Sequence, residues 1–253
     1  MVMFDFFDET KTEYKQHYLH VDTLTNRPRS IKNLDKTKLA YPYIEKPETQ
    51  QIFVKQHFLS SDECDYLVWL AETADAWQPF ADYPFWHERN LSIFRYLPYH
   101  KYASVETIRL VLSVHQKIKE FVSKSFGVEV FADQIGIIRW PPGSYQMPHI
   151  DKQEGYSRAA GCVVYLNEDY KGGETYYPYY DRLLTPQEGA IFAHSANESH
   201  LHGVTRILEK TRYTIGSTWS TQKEHSTYEA ELSKMKSYLE SQGQQELPVD
   251  KKC

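Results

Sequence analysis

Cysteine is scarce in this chain, which has only Cys64, Cys162 and Cys253 among its 253 residues. Three widely spaced cysteines do not form the disulfide framework of a small secreted domain, and they favour a reducing compartment. The sequence also contains no CxxC and no HExxH pattern. Because structural zinc sites favour cysteine and close their shell with four protein ligands, the sequence argues against a site of that kind.

Long apolar runs and blocks of basic residues are missing as well. No apolar run approaches the roughly 20 residues that a membrane span needs. The first residues, MVMFDFFDETKTEYK, lack the basic n-region and the continuous apolar h-region of a signal peptide. Lysine and arginine are scattered along the chain, and the formal net charge is −5. We therefore expect a cytoplasmic protein with no membrane partner and no nucleic-acid partner.

The composition, 41% hydrophobic and 25% charged, is typical of a globular protein with one core domain. Pro28, Pro42 and Pro47 interrupt a polar first stretch, which predicts an extension rather than a folded unit. The predicted parts are an N-terminal extension at 1–50, a single domain at 51–221 with helical support at 59–127 and a β core at 128–221, and a C-terminal helix and tail at 222–253.

The two supporting helices have clear termini in the sequence. Ser60 and Glu63 form the capping box of the first helix. Ser104 is the predicted N-cap of the second helix, and Gly127 is its predicted end. His115 falls on the apolar stripe of this second helix, where we interpret it as a core histidine rather than a ligand.

Residues 77–102 are rich in aromatic side chains and contain three prolines. A segment of this kind is suited to line a groove for an extended or proline-containing substrate. The alternative is that the rings anchor a loop to the core. The sequence alone does not choose between a substrate lid and an anchored loop.

Short strand patterns with turn signals between them run from 128 to 221, which is typical of a sandwich or a barrel. One of them, SYQMPHID at 144–151, carries His149 and Asp151 two positions apart. Because side chains alternate along a strand, both are predicted to leave the same face. One further histidine would complete the two-histidine, one-carboxylate site that suits non-haem Fe(II).

Three histidines compete for that third position: His194, His200 and His202. Periodicity does not choose among them, because His200 and His202 share a face of any extended strand. Arg212 follows His202 by ten residues in TRYTIGSTW, a strand that we expect to lie next to it in a small barrel. This arrangement favours His202.

These residues belong to a longer ordered set within 135–219. The set is His149-Ile150-Asp151, then Tyr165-Leu166-Asn167, then Gly172-Gly173-Glu174-Thr175 followed by Pro178, then His202-Gly203 and Arg212. A lone H-x-D triplet arises by chance in many proteins, whereas the ordered set is specific. With it the chain resembles the 2-oxoglutarate/Fe(II)-dependent dioxygenases, and within them the prolyl 4-hydroxylase-like branch.

The resemblance implies an all-β core with flanking helices (α+β): a double-stranded β-helix, which is a jelly-roll or cupin-like barrel, buttressed by the N-terminal helices. It implies that His149, Asp151 and His202 hold Fe(II) on one triangular face. The cosubstrates 2-oxoglutarate and O2 would take the open positions, and ascorbate would act as reductant.

The resemblance also implies a cosubstrate anchor. The planar guanidinium of Arg212 is suited to pair bidentately with the 5-carboxylate of 2-oxoglutarate. Tyr165 matches a position whose hydroxyl hydrogen-bonds the same carboxylate in related hydroxylases. Thr214 shares the strand face of Arg212 and is a further expected contact. The alternatives are a surface arginine in a salt bridge and a core tyrosine.

Two neighbouring features are interpreted as structural. Family members commonly place tryptophan six residues beyond the basic residue, but Thr218 holds that position here and Trp219 follows it. Because side chains alternate along a strand, Trp219 is predicted to point to the opposite face, and we do not assign it to the site. Gly172 and Gly173 are interpreted as hairpin residues that supply positive φ.

The implied reaction hydroxylates an unactivated C–H bond and decarboxylates 2-oxoglutarate to succinate and CO2. We expect a prolyl residue in a peptide or protein as the substrate. One alternative is the same chemistry on a lysyl side chain, a small metabolite or a nucleobase. Another is a non-catalytic β-helix module that keeps a metal site. The sequence does not indicate an oligomeric state.

Overall fold

The structure is a computed structural model that describes residues 51–73, 90–91, 104–152, 155, 157–180, 182–185, 187–226 and 228–241. The predicted N-terminal extension, the aromatic segment 77–102 apart from residues 90–91, and the tail beyond 241 lie outside these residues. Whether the aromatic segment is a substrate lid therefore stays a prediction.

Three α-helices and twelve strands form in this part of the chain. The helices are α1 (Ser61–Thr73), α2 (Val105–Phe126) and α3 (Glu229–Ser241). The strands are β1 (Ile52–Lys55), β2 (Asn90–Leu91), β3 (Phe131–Trp140), β4 (Gln146–His149), β5 (Arg158–Tyr165), β6 (Lys171–Gly172), β7 (Thr175–Tyr177), β8 (Arg182–Leu184), β9 (Ile191–Ser195), β10 (His202–Val204), β11 (Ile207–Glu209) and β12 (Arg212–Ser220).

Helix termini follow the local signals in the sequence. The Ser60 amide donates to Glu63 Oε2 at 2.9 Å, and the Glu63 amide donates to Ser60 Oγ at 3.2 Å, which confirms the capping box before α1. Ser104 caps α2 by accepting from the Thr107 amide. Gly127 ends α2 in the left-handed conformation with φ 68°. The prediction for α2 is confirmed at both ends.

The strands form two main sheets. The six-stranded sheet has the order β1-β9-β5-β12-β3-β2, and the four-stranded sheet has the order β4-β10-β7-β8. β6 and β11 form a separate pair. All the strand pairs are antiparallel. The two main sheets contact each other through side chains, as where the Tyr165 hydroxyl on β5 meets the Thr175 hydroxyl on β7 at 3.1 Å.

The two faces of the six-stranded sheet have different roles. Ile215 and Trp219 on β12 point to the helices and join the main core with residues of α1, α2 and α3. Arg212 and Thr214 point to the other face by the alternation of the strand, and both are buried. One face therefore supports the fold, and the other is available for a site. The prediction that Trp219 leaves the site face is confirmed by its contact with His115 on α2, with 5.5 Å between ring centroids.

The predicted all-β core with flanking helices is confirmed, and α3 joins the two N-terminal helices against the same sheet face. One expectation about the strands is wrong. β12 does not lie next to β10, because the two strands belong to different sheets. Within the described residues the ladders form three separate sheets and no closed barrel. The first strand, β1, ends at Lys55, shortly before the chain turns at His57 with φ 51°.

No helix in the described ranges has both the length and the apolarity needed to cross a membrane.

His115 gives the folded protein a pH-dependent stability. Burial lowers the pKa of His115 from 6.5 to about 4, with smaller contributions from Lys119 and Lys236. The unfolded chain therefore takes up this proton first, and the contribution of the neutral ring is lost as the pH falls from 6.5 towards 4. We expect His115→Leu to flatten the pH dependence of the free energy of unfolding in this window, by up to about 3 kcal/mol.

Urea unfolding followed by circular dichroism at several pH values measures this slope. The matched control is His57→Asn, which removes an exposed histidine and keeps a residue type that tolerates its positive φ. An equal slope in wild type and His115→Leu would contradict the assignment.

Candidate metal centre

The candidate metal centre begins at the end of β4. His149 is the last residue of this strand, and Asp151 lies two residues beyond it in a loop. The prediction that both side chains leave one strand is therefore wrong, because the strand stops at His149. The loop nevertheless brings them together, with His149 Nε2 3.7 Å from Asp151 Oδ1.

His202 reaches the same place from a different part of the chain. It is the first residue of β10 and lies directly opposite His149 in the pairing of β10 with β4. The two rings are 4.3 Å apart between centroids. His149, Asp151 and His202 each offer one ligand atom, and these atoms all lie within 4.8 Å of one another.

The orientation of the His202 ring is fixed by the backbone. Its Nδ1 lies 2.9 Å from the His200 carbonyl oxygen, so Nδ1 carries the proton and Nε2 keeps its lone pair. Metal-binding histidines use this arrangement, with one nitrogen donating to a carbonyl and the other on the ion. Burial, followed by the nearby His194 and His149, holds the pKa of His202 well below its usual value. The ring is therefore neutral at physiological pH, as a metal ligand must be.

The other two histidines that the sequence left open, His194 and His200, are not members of this three-residue group. His200 is in a 3₁₀ turn, where its Nδ1 contacts Asn197 Oδ1 at 2.8 Å and its Nε2 contacts the Tyr180 hydroxyl at 3.4 Å. His194 lies on β9 beside Asp151, with its Nε2 3.4 Å from Asp151 Oδ2. His194 is not a member of the three-residue group with close ligand atoms.

Asp151 is also held through its backbone. The Nη1 of Arg158 donates to the Asp151 carbonyl oxygen at 3.1 Å, and its Nε donates to Asp133 Oδ2 at 2.5 Å. Arg158 is on β5 and Asp133 is on β3, so the hydrogen bond from Arg158 attaches the loop to the six-stranded sheet, and the part-buried ion pair with Asp133 holds Arg158 in place. The loop position of Asp151 is therefore fixed without a strand.

Gly161 on β5 makes room for the carboxylate of Asp151. A Cβ added at Gly161 would lie 1.8 Å from Asp151 Oδ2 and 2.8 Å from His194 Nε2. Any side chain at this position would displace both groups. The sequence gives no signal for this role, because a glycine inside a strand pattern indicates only a bulge or a close approach.

A second set of polar groups surrounds Arg212. The Arg212 side chain is only 1% exposed, and its guanidinium lies over the rings of Trp140 at 4.7 Å and Tyr165 at 5.3 Å. Within the described part of the chain, neither Nε nor Nη1 of Arg212 has a hydrogen-bond partner. A buried guanidinium with free donors is costly unless an anion pairs with it.

The residues predicted beside Arg212 are in contact with its surroundings. Tyr165 lies opposite Thr214 in the pairing of β5 with β12. The Thr214 hydroxyl accepts a hydrogen bond from Trp140 Nε1 at 3.1 Å, so Thr214 orients the indole that covers Arg212. Thr175 was left off the predicted site, although its hydroxyl contacts that of Tyr165 at 3.1 Å.

The glycine pair Gly172-Gly173 does not form the predicted hairpin, because the adjoining strands β6 and β7 belong to different sheets. Gly172 and Gly173 have φ of 79° and 72°, which confirms the prediction of positive φ. A Cβ added at Gly173 would also lie 3.0 Å from Arg212 Cδ and 2.5 Å from Ile207 Cδ1. The second glycine therefore gives the Arg212 side chain its space.

The two clusters together suit a divalent metal ion and an anionic ligand. Two imidazoles and one carboxylate are ligands that Fe(II) and related ions accept. The unpaired donors of Arg212 suit a carboxylate, which accepts bidentate hydrogen bonds. The residues present are thus compatible with the ion and the cosubstrate that the sequence resemblance implies.

The position of Gly161 generates a test of the metal centre. We expect Gly161→Ala to weaken Ni(II) binding by at least about 10-fold, because the new methyl group displaces the Asp151 carboxylate. Isothermal titration calorimetry measures the affinity. The control is Gly216→Ala on the adjacent β12, where the added Cβ would meet only the flexible end of Ile138, Cδ1, at 2.8 Å. Equal affinities in the two variants would contradict the geometry.

Comparisons with known proteins give structural neighbours only. No known family profile matches the chain, and no curated protein sequence is significantly similar to it. A prolyl-4-hydroxylase from Pseudomonas putida is similar in structure with a TM-score of 0.52 and 17% identity, over 69% of this chain and 94% of the other. HygX from Streptomyces hygroscopicus, with nickel and 2-oxoglutarate bound, has a TM-score of 0.53 and 12% identity, over 70% of this chain and 85% of the other.

These likenesses concern the fold, and they cover most of both neighbouring proteins. They agree with the resemblance seen in the sequence, which was drawn from residues of β4, β5, β7, β10 and β12. The chain therefore has the fold of the 2-oxoglutarate oxygenases, with a prolyl 4-hydroxylase among its structural neighbours.

Proposed function

We propose that this protein is an Fe(II)- and 2-oxoglutarate-dependent dioxygenase that hydroxylates an unactivated C–H bond, with a prolyl residue of a peptide or protein as substrate. The observation that carries the proposal is the buried guanidinium of Arg212, whose Nε and Nη1 have no hydrogen-bond partner among the described residues, in a domain that also holds a His-Asp-His group. A metal-binding module without turnover has no need of such an anion site.

Burial makes Arg212 informative. An exposed arginine forms or loses ion pairs at little cost, whereas a buried one without a partner costs several kcal/mol, an order-of-magnitude figure. Aromatic faces of Trp140 and Tyr165 compensate only in part, by about 2 kcal/mol at most for a desolvated cation–π contact. A carboxylate ligand would complete the compensation, and the planar fork of Arg212 would fix its orientation.

The proposed ligands of Fe(II) are His149, Asp151 and His202. Three protein ligands would leave coordination positions for 2-oxoglutarate and O2. When bound, the ion supplies the redox chemistry that couples conversion of 2-oxoglutarate to succinate and CO2 with hydroxylation. The protein presents the neutral imidazole of His202, holds Asp151 through Arg158 and buries the guanidinium of Arg212.

Tyr165, Thr214 and Arg212 are proposed to bind the cosubstrate together. The Tyr165 hydroxyl contacts that of Thr175 at 3.1 Å, and a Tyr165 hydroxyl that accepts from Thr175 would keep its own proton for a carboxylate. Thr214 contributes by holding Trp140 over the guanidinium, because its hydroxyl already accepts from the indole. We propose that the two main sheets are the halves of a double-stranded β-helix, with residues 51–221 as the catalytic domain.

The substrate proposal is supported by the prolyl-4-hydroxylase neighbour and by the aromatic composition of 77–102. A lysyl side chain, a small metabolite or a nucleobase is the alternative with the same chemistry. Ascorbate is the proposed reductant, and no nucleic acid or membrane partner is proposed. We propose a cytoplasmic location on the basis of the sequence.

Replacement of Arg212 tests the cosubstrate site. We expect Arg212→Met to abolish the stabilisation that 2-oxoglutarate gives the Ni(II)-loaded protein, which in wild type reaches about 2.7 kcal/mol at 100 times the dissociation constant. The ligand-free variant should be at least as stable as wild type, because Nε and Nη1 of the buried guanidinium have no hydrogen-bond partner among the described residues and methionine needs none. Thermal unfolding with and without 2-oxoglutarate measures both effects.

Arg139→Met is the matched control, since Arg139 is a partly exposed arginine that pairs with Glu72 at 3.1 Å. It should keep the response to 2-oxoglutarate. A full response in Arg212→Met would remove the main support for the proposed function.

Turnover provides the direct test. Wild-type protein with Fe(II), 2-oxoglutarate, O2 and ascorbate should form succinate, and His149→Ala should lose this activity by more than the roughly 10- to 100-fold that loss of an outer partner causes. Mass spectrometry of proline-containing peptides should show one added oxygen. Succinate formation without any modified proline substrate would overturn the substrate and leave the reaction class intact. Failure of wild type to decarboxylate 2-oxoglutarate at all would favour the non-catalytic module.

A further inference from the structure

His194 occupies a rigid position beside the proposed metal centre. Its strand β9 lies inside the six-stranded sheet, between β1 and β5, where His194 faces Ile52 on one side and Gly161 on the other. The side chain is 1% exposed. A residue paired on both sides cannot shift along the sheet, so the backbone of His194 is a fixed reference for the groups near it.

Neighbouring rings also fix the orientation of the imidazole. Phe192 stacks on it with 6.1 Å between centroids, and His200 stacks at 6.4 Å. Tyr177 meets it edge-on at 5.6 Å, and His202 does so at 4.2 Å. The ring therefore has little freedom to rotate, which is unusual for a histidine without a known role.

Unlike His194, Asp151 does not lie in a strand. It lies in a loop, and its carboxylate is not oriented by a strand. Its Oδ1 is 3.7 Å from His149 Nε2, on the side of the proposed metal ion. Its Oδ2 is 3.4 Å from His194 Nε2, and both of these groups lie over the bare backbone of Gly161. The two oxygens of one carboxylate thus face two different histidines.

Each ring nitrogen of His194 lies near a hydrogen-bond acceptor. A neutral imidazole carries a single N–H group, so one of its nitrogens donates a hydrogen bond and the other can accept one. Nδ1 lies 3.2 Å from the Ser195 carbonyl oxygen, and Nε2 lies 3.4 Å from the Asp151 carboxylate. A hydrogen bond to a charged acceptor is roughly twice as strong as one between neutral groups, which favours the proton on Nε2.

We propose that His194 is a positioning residue: its Nε2–H donates to Asp151 Oδ2, which leaves Oδ1 directed at the metal ion. The inference rests on the proposed function and concerns the outer partner of one metal ligand. It assigns His194 a role different from that of His202, whose Nδ1 donates to a backbone carbonyl and whose Nε2 is free for the ion. Outer partners of this kind orient metal ligands, and their loss typically weakens metal binding by about 10- to 100-fold.

The test compares two amides that differ in reach. The amide nitrogen of His194→Gln can occupy the position of Nε2, whereas that of His194→Asn corresponds to Nδ1 and cannot reach Asp151. We expect His194→Asn to weaken Ni(II) binding by about 10- to 100-fold and His194→Gln to keep it within about 3-fold of wild type. Calorimetry gives the affinities, and far-UV circular dichroism checks that both variants fold.

Two further measurements separate positioning from packing and from direct coordination. His200→Asn is the control for packing, because His200 is also buried and stacks on His194 but contacts Asn197 and Tyr180; its Ni(II) affinity should remain that of wild type. The absorption spectrum of the Co(II)-loaded protein should be the same in wild type and His194→Gln, because a positioning residue is not a ligand.

Equal affinities in His194→Asn and His194→Gln would overturn the proposal, as would a changed Co(II) spectrum in His194→Gln. Weak binding by His200→Asn would also overturn it, because packing alone would then explain the effect. A wild-type protein that binds no Ni(II) would overturn the proposed function and this inference together. Binding by wild type with no difference among the variants would overturn the inference alone.

Discussion

The antiparallel pairing of β4 with β10 is the interaction on which the candidate centre depends. It places His149 directly opposite His202, although the two residues are far apart in the chain. Opposite residues in a sheet have their side chains within a few ångströms of each other, about 5 Å between Cβ atoms. Two ligands from one strand pair give the centre a rigid half, and only the carboxylate then has to be brought in from a loop.

The carboxylate is supplied and held by the other main sheet. Arg158 on β5 bonds the Asp151 carbonyl, Gly161 on the same strand leaves room for its side chain, and His194 on β9 faces its second oxygen. The centre is therefore shared between the sheets: the four-stranded sheet carries the histidines, and the six-stranded sheet positions the carboxylate. The same six-stranded sheet carries Arg212, which is buried on β12. One sheet therefore holds both the Arg212 anion site and the residues that position the metal ligand Asp151.

Local signals in the sequence predicted the parts of the fold that depend on local contacts. The capping residues of α1 and α2 and the glycines with positive φ lie where their patterns placed them, because caps and positive φ involve residues close in the chain. The pairing of β12 was predicted wrongly, because neighbours in sequence order need not be neighbours in a sheet. A family pattern in the sequence predicted the metal ligands His149, Asp151 and His202. The structure places their ligand atoms close together. The sequence did not identify His194 and Arg158 as partners of Asp151, because such contacts have no characteristic spacing along the chain. Its sole hint was that His194 shares a strand face with Phe192 in IFAHS.

Because β1 pairs with β9, this part of the six-stranded sheet can form only after β9 has been synthesised. β1 precedes every other described strand, yet its partner follows most of the domain. A growing chain on the ribosome therefore exposes β1 long before β9 exists, and contacts of such large separation form slowly. Once made, this pairing removes a free edge beside β9, the strand that carries His194. The earliest-made strand thus completes the sheet that supports the candidate centre, so the centre is among the last features of the newborn protein to become rigid.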